Sequence, residues 1–99
     1  MAKRPNKKRK KEYEVAVEHG CILCKILYGV KTECEIHHLT GAGLALRNEE
    51  KFIPLCVHHH RGPQGIHHLG NRIWEEKYGN QQEMLDMYLE EVNNTKEDL

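Results

Sequence analysis

The sequence predicts a small α+β domain in which a β-hairpin and a following helix, a ββα unit, are flanked by further helices. Three observations lead there. Two stretches suited to strands, residues 34–39 and 51–55, lie either side of a glycine-rich turn, and helical spacing of apolar residues resumes at Ile66 and again at Met84. The third is composition: four Cys and eight His occur in a chain with one Trp, one Phe and only 38% hydrophobic residues. A chain of this length buries about 60–70% of its unfolded surface and has little stability to spare, so so thin a core is expected to be supplemented by a metal or another cross-link.

The elements follow in order. Residues 1–11 carry Lys3, Arg4, Lys7, Lys8, Arg9, Lys10 and Lys11 and no acid, while the remainder holds eight basic against fifteen acidic residues, so a formal net charge of zero conceals opposed ends. The basic run reads as a disordered arm that collects phosphates by counterion release, or more simply as a solvated tail, and the folded domain is expected over residues 12–99. Tyr13, Ala16 and Val17 recur at helical spacing before His19-Gly20, predicting a short helix over about 10–18, with His19 favoured by the dipole at its C-terminus. Cys21-Ile-Leu-Cys24 and a short apolar segment, Ile26 to Gly29, come next. Thr32 to Leu39 partly alternates, giving strand one over 34–39. Thr40-Gly-Ala-Gly43 is a turn, and Lys51-Phe-Ile-Pro-Leu55 returns as strand two, with Pro54 placing it at an edge. Arg61 to Gly65 is unsuited to helix, whereas Ile66, Leu69, Ile73 and Trp74 predict one helix over 66–78 that Gly79 ends. Asn80-Gln-Gln-Glu83 fits a capping box for a last helix whose stripe is Met84, Leu85, Tyr88, Leu89 and Val92, with its Met residues packed in the core.

No run of 18 apolar residues occurs and no apolar segment follows the lysine-rich N-terminus, so neither a membrane span nor a secretory signal is expected and the protein reads as cytoplasmic. In that compartment four cysteines are better thiolate ligands than disulfides. Cys21-x2-Cys24 paired with Cys56-Val-His-His59 gives a CxxC and a CxxH, four donors suited to tetrahedral zinc. A closed shell leaves no position for chemistry, so the role is structural. His58 is an alternative to His59 and Cys34 to one of the other cysteines, although Cys34 reads first as a small buried hydrophobe.

His37, His38, His60 and His67 remain. Adjacent residues of a strand point to opposite faces, so His37 and His38 should have different tasks. Phosphodiester hydrolysis needs two: a cation to neutralise charge at phosphorus and the leaving oxygen, and a base that titrates near neutrality.

Glu35-Ile-His-His38-Leu resembles the first motif of the HNH (ββα-metal, His-Me finger) endonucleases, and Leu55-Cys-Val-His-His-His60 resembles the segment where zinc-stapled members join the second knuckle to the metal-bearing helix. The resemblance implies a catalytic-metal ligand at His37, the general base at His38 and a further metal ligand at His60. The longer string from Cys34-Glu-Ile-His-His-Leu-Thr-Gly through Ile53-Pro-Leu-Cys, His59-His-Arg-Gly, Gly65-Ile-His67 and Trp74-Glu to Tyr78-Gly is similar to a narrower branch, the phage recombination-enhancement nucleases, which are RecA-dependent DNA endonucleases. It spans roughly residues 19–80 and implies His67 as the last ligand of the catalytic ion, DNA and a RecA–DNA filament as partners, and a bacterial host cell's cytoplasm as location. One departure stands out: Lys51 occupies the place of the motif's Asn, with Asn48 nearby but out of register.

A shell of imidazoles favours transition metals, whereas the resemblance implies magnesium or manganese, with zinc or nickel as alternatives. Lys51, Arg61 and Arg72 are candidate phosphate contacts, Arg for its bidentate geometry, or ordinary solvated charges. The expected activity is DNA cleavage leaving 5′-phosphate ends. Its rivals are a non-catalytic zinc-containing DNA-binding module, which Lys51 favours, and a structural zinc protein acting on other proteins through the acidic Glu83 to Glu91 segment.

Overall fold

The computed structural model describes residues 7–39 and 51–97, with side chains as far as 93. Lys3, Arg4, Asn48 and the turn expected at 40–43 lie outside the described residues. The order is α1 (Lys7–His19), α2 (Ile22–Tyr28), β1 (Glu35–His38), β2 (Phe52–Leu55), α3 (Val57–His60), α4 (Ile66–Leu69), α5 (Asn71–Tyr78) and α6 (Gln81–Glu97).

Helix α1 starts within the segment expected to be a disordered arm, which corrects that expectation from Lys7 onward. Lys and Arg are good helix formers, and although a basic first turn opposes the helix dipole, the helix is fixed further along by packing. Fully buried Ala16 and partly buried Tyr13 seat it against both strands. At its end Gly20 turns with φ +85°, and a Cβ there would meet the Thr32 carbonyl oxygen at 2.8 Å, so only glycine fits. His19 is the last residue of α1, as expected, and is tied to Glu91 of α6 as well as to the Gly20 carbonyl.

Strands β1 and β2 pair antiparallel, with Glu35 opposite Leu55, Ile36 opposite Pro54, His37 opposite Ile53 and His38 opposite Phe52. Leu39 N–H donates to the Lys51 carbonyl at 3.0 Å, extending the pairing by one step. In this two-stranded sheet both strands are edges, which accommodates Pro54. Ile22 and Leu23 of α2, Ile53 and Leu55 of β2, Ile66, and Trp74 form the core with Met84, Leu85 and Tyr88 of α6. Burying each large apolar side chain stabilises by about 1.5–3 kcal/mol.

The helix expected over 66–78 is two. Gly70, at φ +87° and ψ 157°, closes α4 by donating to the Ile66 carbonyl, and its own carbonyl accepts from Trp74 N–H to start α5. Apolar spacing fits one helix or two here, but an extended glycine with positive φ bends the path and swings α5 so that Trp74 is buried and Ile73 exposed. In α6, Asn80 Oδ1 accepts from Glu83 N–H at 3.1 Å, the capping bond expected, while Leu89 falls off the buried stripe and is exposed.

Candidate metal centres

Cys21 is the N-cap of α2, where its Sγ accepts from Cys24 N–H at 3.4 Å, and Cys24 sits in the first turn of that helix. Cys56 is the N-cap of α3, and three residues later, on the same side of the turn, comes His59. The four donors lie within 4.8 Å of one another. Cys24 Sγ is 3.7 Å from Cys56 Sγ, and His59 Nδ1 is 3.8, 3.8 and 3.2 Å from the sulfurs of Cys21, Cys24 and Cys56. Zinc–sulfur bonds of about 2.3 Å and a zinc–nitrogen bond of about 2.0 Å at tetrahedral angles require edges of about 3.8 and 3.5 Å. The cluster therefore has the dimensions and chemistry to hold a metal such as zinc. His59 is buried, whereas His58 points to solvent, so the histidine of the cluster is His59. Its carbonyl accepts from Trp74 Nε1 at 3.0 Å, which locks α3 to the core.

Burial pushes the Cys21 thiol up to about 12 and raises Cys56, and it pushes His59 down. Left to itself the pocket would keep the Cys21 and Cys56 thiols neutral; a divalent ion reverses the balance by stabilising thiolates. Cys34 lies outside this cluster, its Sγ directed at the Ala16 carbonyl 3.5 Å away, and burial raises its thiol too.

The second cluster is His37, His60 and His67, whose ligand atoms also lie within 4.8 Å of one another. β1 supplies His37, the end of α3 supplies His60 and α4 supplies His67. The chain between the two short helices is tightly folded: a Cβ on Gly65 would fall 2.5 Å from the His60 carbonyl carbon, so glycine there lets α4 bring His67 back over His60. Their Nε2 atoms are 3.0 Å apart, and the His37 ring centroid is 5.1 and 5.4 Å from those of His60 and His67.

Each of two rings has its outer nitrogen occupied. His37 donates from Nε2 to Gln81 Oε1 at 2.9 Å, leaving Nδ1 as its ligand atom, and His60 donates from Nδ1 to Glu35 Oε1 at 2.9 Å, leaving Nε2. Such partners fix the tautomer and ring plane of metal-binding histidines. Arg61 grips the same carboxylate through Nε and Nη2 at 2.7–3.0 Å, and this guanidinium, followed by the His60 ring, holds Glu35 down at about 2. His37 is only 2% exposed and His67 is open to solvent, so the trio has a buried back and an accessible front, unlike the closed four-donor cluster.

Desolvation pushes His37 down to about 4 from 6.5. Below pH 6.5 the unfolded chain takes up a proton that the folded chain refuses until about pH 4. Stability from a neutral His37 is thus intact above 6.5 and is lost as pH falls toward 4, by about 3 kcal/mol at most. Urea unfolding from pH 7 to 4 should show the wild type losing its advantage over His37→Gln across that interval; parallel curves would mean that His37 is not held neutral.

His38, on the opposite face of β1, is half-buried, with Nε2 3.1 Å from Tyr13 Oη. Of the candidate phosphate contacts, Lys7, Lys8, Lys10 and Lys11 are exposed on α1, Arg9 pairs with Glu12 at 3.4 Å, and Lys51 is half-buried beside Leu39. Arg61 is engaged with Glu35, and Arg72 is 82% exposed beside Glu76. Sequence reasoning singled out neither Glu35 nor Gln81. Glu35 had a signal, since residues i and i+2 of a strand share a face and Glu35 must accompany His37. Gln81 had none, because its contact depends on where α6 lands.

The family model described as recombination enhancement, RecA-dependent nuclease matches residues 5–93, a span that includes both clusters. No curated protein matches the chain. Among the described residues no helix is long and apolar enough to cross a membrane.

Proposed function

This chain belongs to the recombination-enhancement, RecA-dependent nucleases, and on that premise we propose that it is a metal-dependent DNA endonuclease of the HNH, ββα-metal type that works with a RecA–DNA filament. The observation that carries the reading is the trio His37, His60 and His67, with two rings oriented by Gln81 and Glu35, set on the face of β1 opposite His38.

In this reading His37, His60 and His67 hold a divalent ion, magnesium or manganese with zinc or nickel as substitutes. When bound, the ion supplies positive charge against the phosphate oxygens and the departing 3′ oxygen. His38 accepts a proton from water, the water oxygen forms a bond to phosphorus, and the bond from phosphorus to the 3′ oxygen breaks, leaving a 5′-phosphate and a 3′ hydroxyl protonated from solvent. The exposed lysines of α1, with Lys3, Arg4 and Arg9 of the same run and Lys51 and Arg72, contact the DNA backbone. In the free protein Arg61 is held by Glu35 and acts through it, with contact to phosphate as its alternative role. Cys21, Cys24, Cys56 and His59 hold a structural zinc. The protein works in the cytoplasm of a bacterial host cell, and with so small a surface it gains its targeting from DNA structure or the filament rather than from base sequence.

The test is nicking of supercoiled plasmid in magnesium and in manganese, with and without homologous single strands coated by RecA. Wild type should cleave, and His38→Ala should lose at least about 100-fold while still binding DNA. A requirement for the filament would establish the partner. Cleavage by neither protein under any condition, with binding intact, would leave a non-catalytic zinc-containing DNA-binding module, the reading that Lys51 in the Asn position favours.

A further inference from the structure

We propose that Tyr13 is a positioning residue for His38, fixing which nitrogen of that ring is basic; the inference rests on His38 being the base of the proposed reaction. Tyr13 comes from α1, outside the hairpin and the metal-binding elements, yet its hydroxyl oxygen lies 3.1 Å from His38 Nε2 and the two rings meet edge to face at 87°. The contact is held from two sides. The Tyr13 ring stands against Phe52 with centroids 5.0 Å apart, and Phe52 is the cross-strand partner of His38. One turn along α1, fully buried Ala16 anchors the helix, so the hydroxyl cannot drift without lifting α1 from the sheet.

A phenol hydroxyl both donates and accepts, so in the resting protein it could satisfy either tautomer. The reaction removes the ambiguity. Once His38 has taken a proton from water both ring nitrogens carry hydrogen, and Tyr13 can then only accept from Nε2. The arrangement that needs no reorganisation at that moment has Nε2–H donating to Tyr13 Oη from the start, with Nδ1 as the accepting nitrogen. The helix that presents Lys7, Lys8, Lys10 and Lys11 to solvent is thus the helix that orients the base, which joins DNA docking and base geometry in one rigid element.

Tyr13→Phe keeps the ring and its packing on Phe52 and removes only the oxygen. In zinc-loaded full-length protein it should lower kcat about 10- to 100-fold, part of the roughly 10²–10⁴ that a positioned base contributes, while leaving the KM for DNA and the melting temperature near wild type. The nitrogen-15 shifts of the His38 ring, identified by their absence in His38→Ala, should report the Nε2–H tautomer in wild type and a mixture in Tyr13→Phe. In the His38→Ala background Tyr13→Phe should cause no further loss. Wild-type kcat in Tyr13→Phe, or a lower kcat with unchanged ring shifts, overturns the proposal while His38 remains the base. Full activity in His38→Ala is the separate result that removes the base assignment itself.

Discussion

Removing the metal from the four-donor cluster is expected to unfold this protein, and replacing Cys21 by Ser to destabilise it severely. The four donors join two separate parts of the chain: Cys21 and Cys24 open α2, and Cys56 and His59 begin the segment that leads from the hairpin into the second cluster. A structural zinc contributes on the order of 10–16 kcal/mol to the folding of small zinc peptides, and an entire small domain is stable by only about 5–15 kcal/mol. Loss of one thiolate should therefore remove about 4 kcal/mol or more, a drop of roughly 15–30 °C in Tm for a domain of this size. The expected readings are one zinc per chain by atomic emission, a far-UV dichroism melt that collapses with chelator, and release of protons on reloading, since burial favours the protonated thiols of Cys21 and Cys56 in its absence. His58→Ala is the control, because that ring is exposed and outside the cluster, and it should melt as wild type does. An unchanged melt after complete zinc removal would reduce the four residues to two buried thiols, a half-buried one and a buried imidazole.

Those four residues were legible in the sequence because each pair is local: three residues of separation place both donors on one helical turn whatever the rest of the chain does. Which of His58 and His59 belongs was not, since it depends on Cys56 being the N-cap of α3 rather than a residue of an open loop. The alternation of β1 foretold that His37 and His38 would part, and the register shows His37 facing His60 and His67 while His38 faces α1. Contacts made by tertiary placement left no trace in the pattern. Gln81 reaches His37 across 44 residues and Tyr13 reaches His38 across 25, and neither side chain looks different from an ordinary helix-surface or core residue when read alone. The early start of α1 was missed for a related reason. Local charge argues against a helix beginning in lysines, and only the burial of Ala16 and Tyr13 against the sheet outweighs it.

Among substitutions at the second cluster, His60→Ala should have the largest effect on cleavage, and its size relative to Glu35→Gln and Arg61→Ala tests how the site is built. Removing one of three imidazoles leaves two donors on a solvent-open site, so binding of manganese at the trio should be lost. Charge stabilisation of several kcal/mol then disappears, which at about 1.4 kcal/mol per decade is a fall of roughly 10³-fold or more in rate. Folding should survive, because the structural cluster is untouched and His60 is only half-buried. Glu35→Gln keeps the shape of the acceptor but removes the charge that orients His60, and the typical effect of such a partner is about 10- to 100-fold. Since Arg61 and His60 hold Glu35 as a carboxylate down to about pH 2, any loss of activity between pH 7 and 5 must arise elsewhere, and Glu35→Gln should lower the rate by the same factor throughout that interval. Arg61→Ala reaches the ion only through Glu35 and should be the mildest of the three. If instead Arg61→Ala equals or exceeds His60→Ala while manganese still binds, the guanidinium leaves Glu35 for the phosphate when DNA arrives, and its ion pair in the free protein is a resting state of a substrate contact.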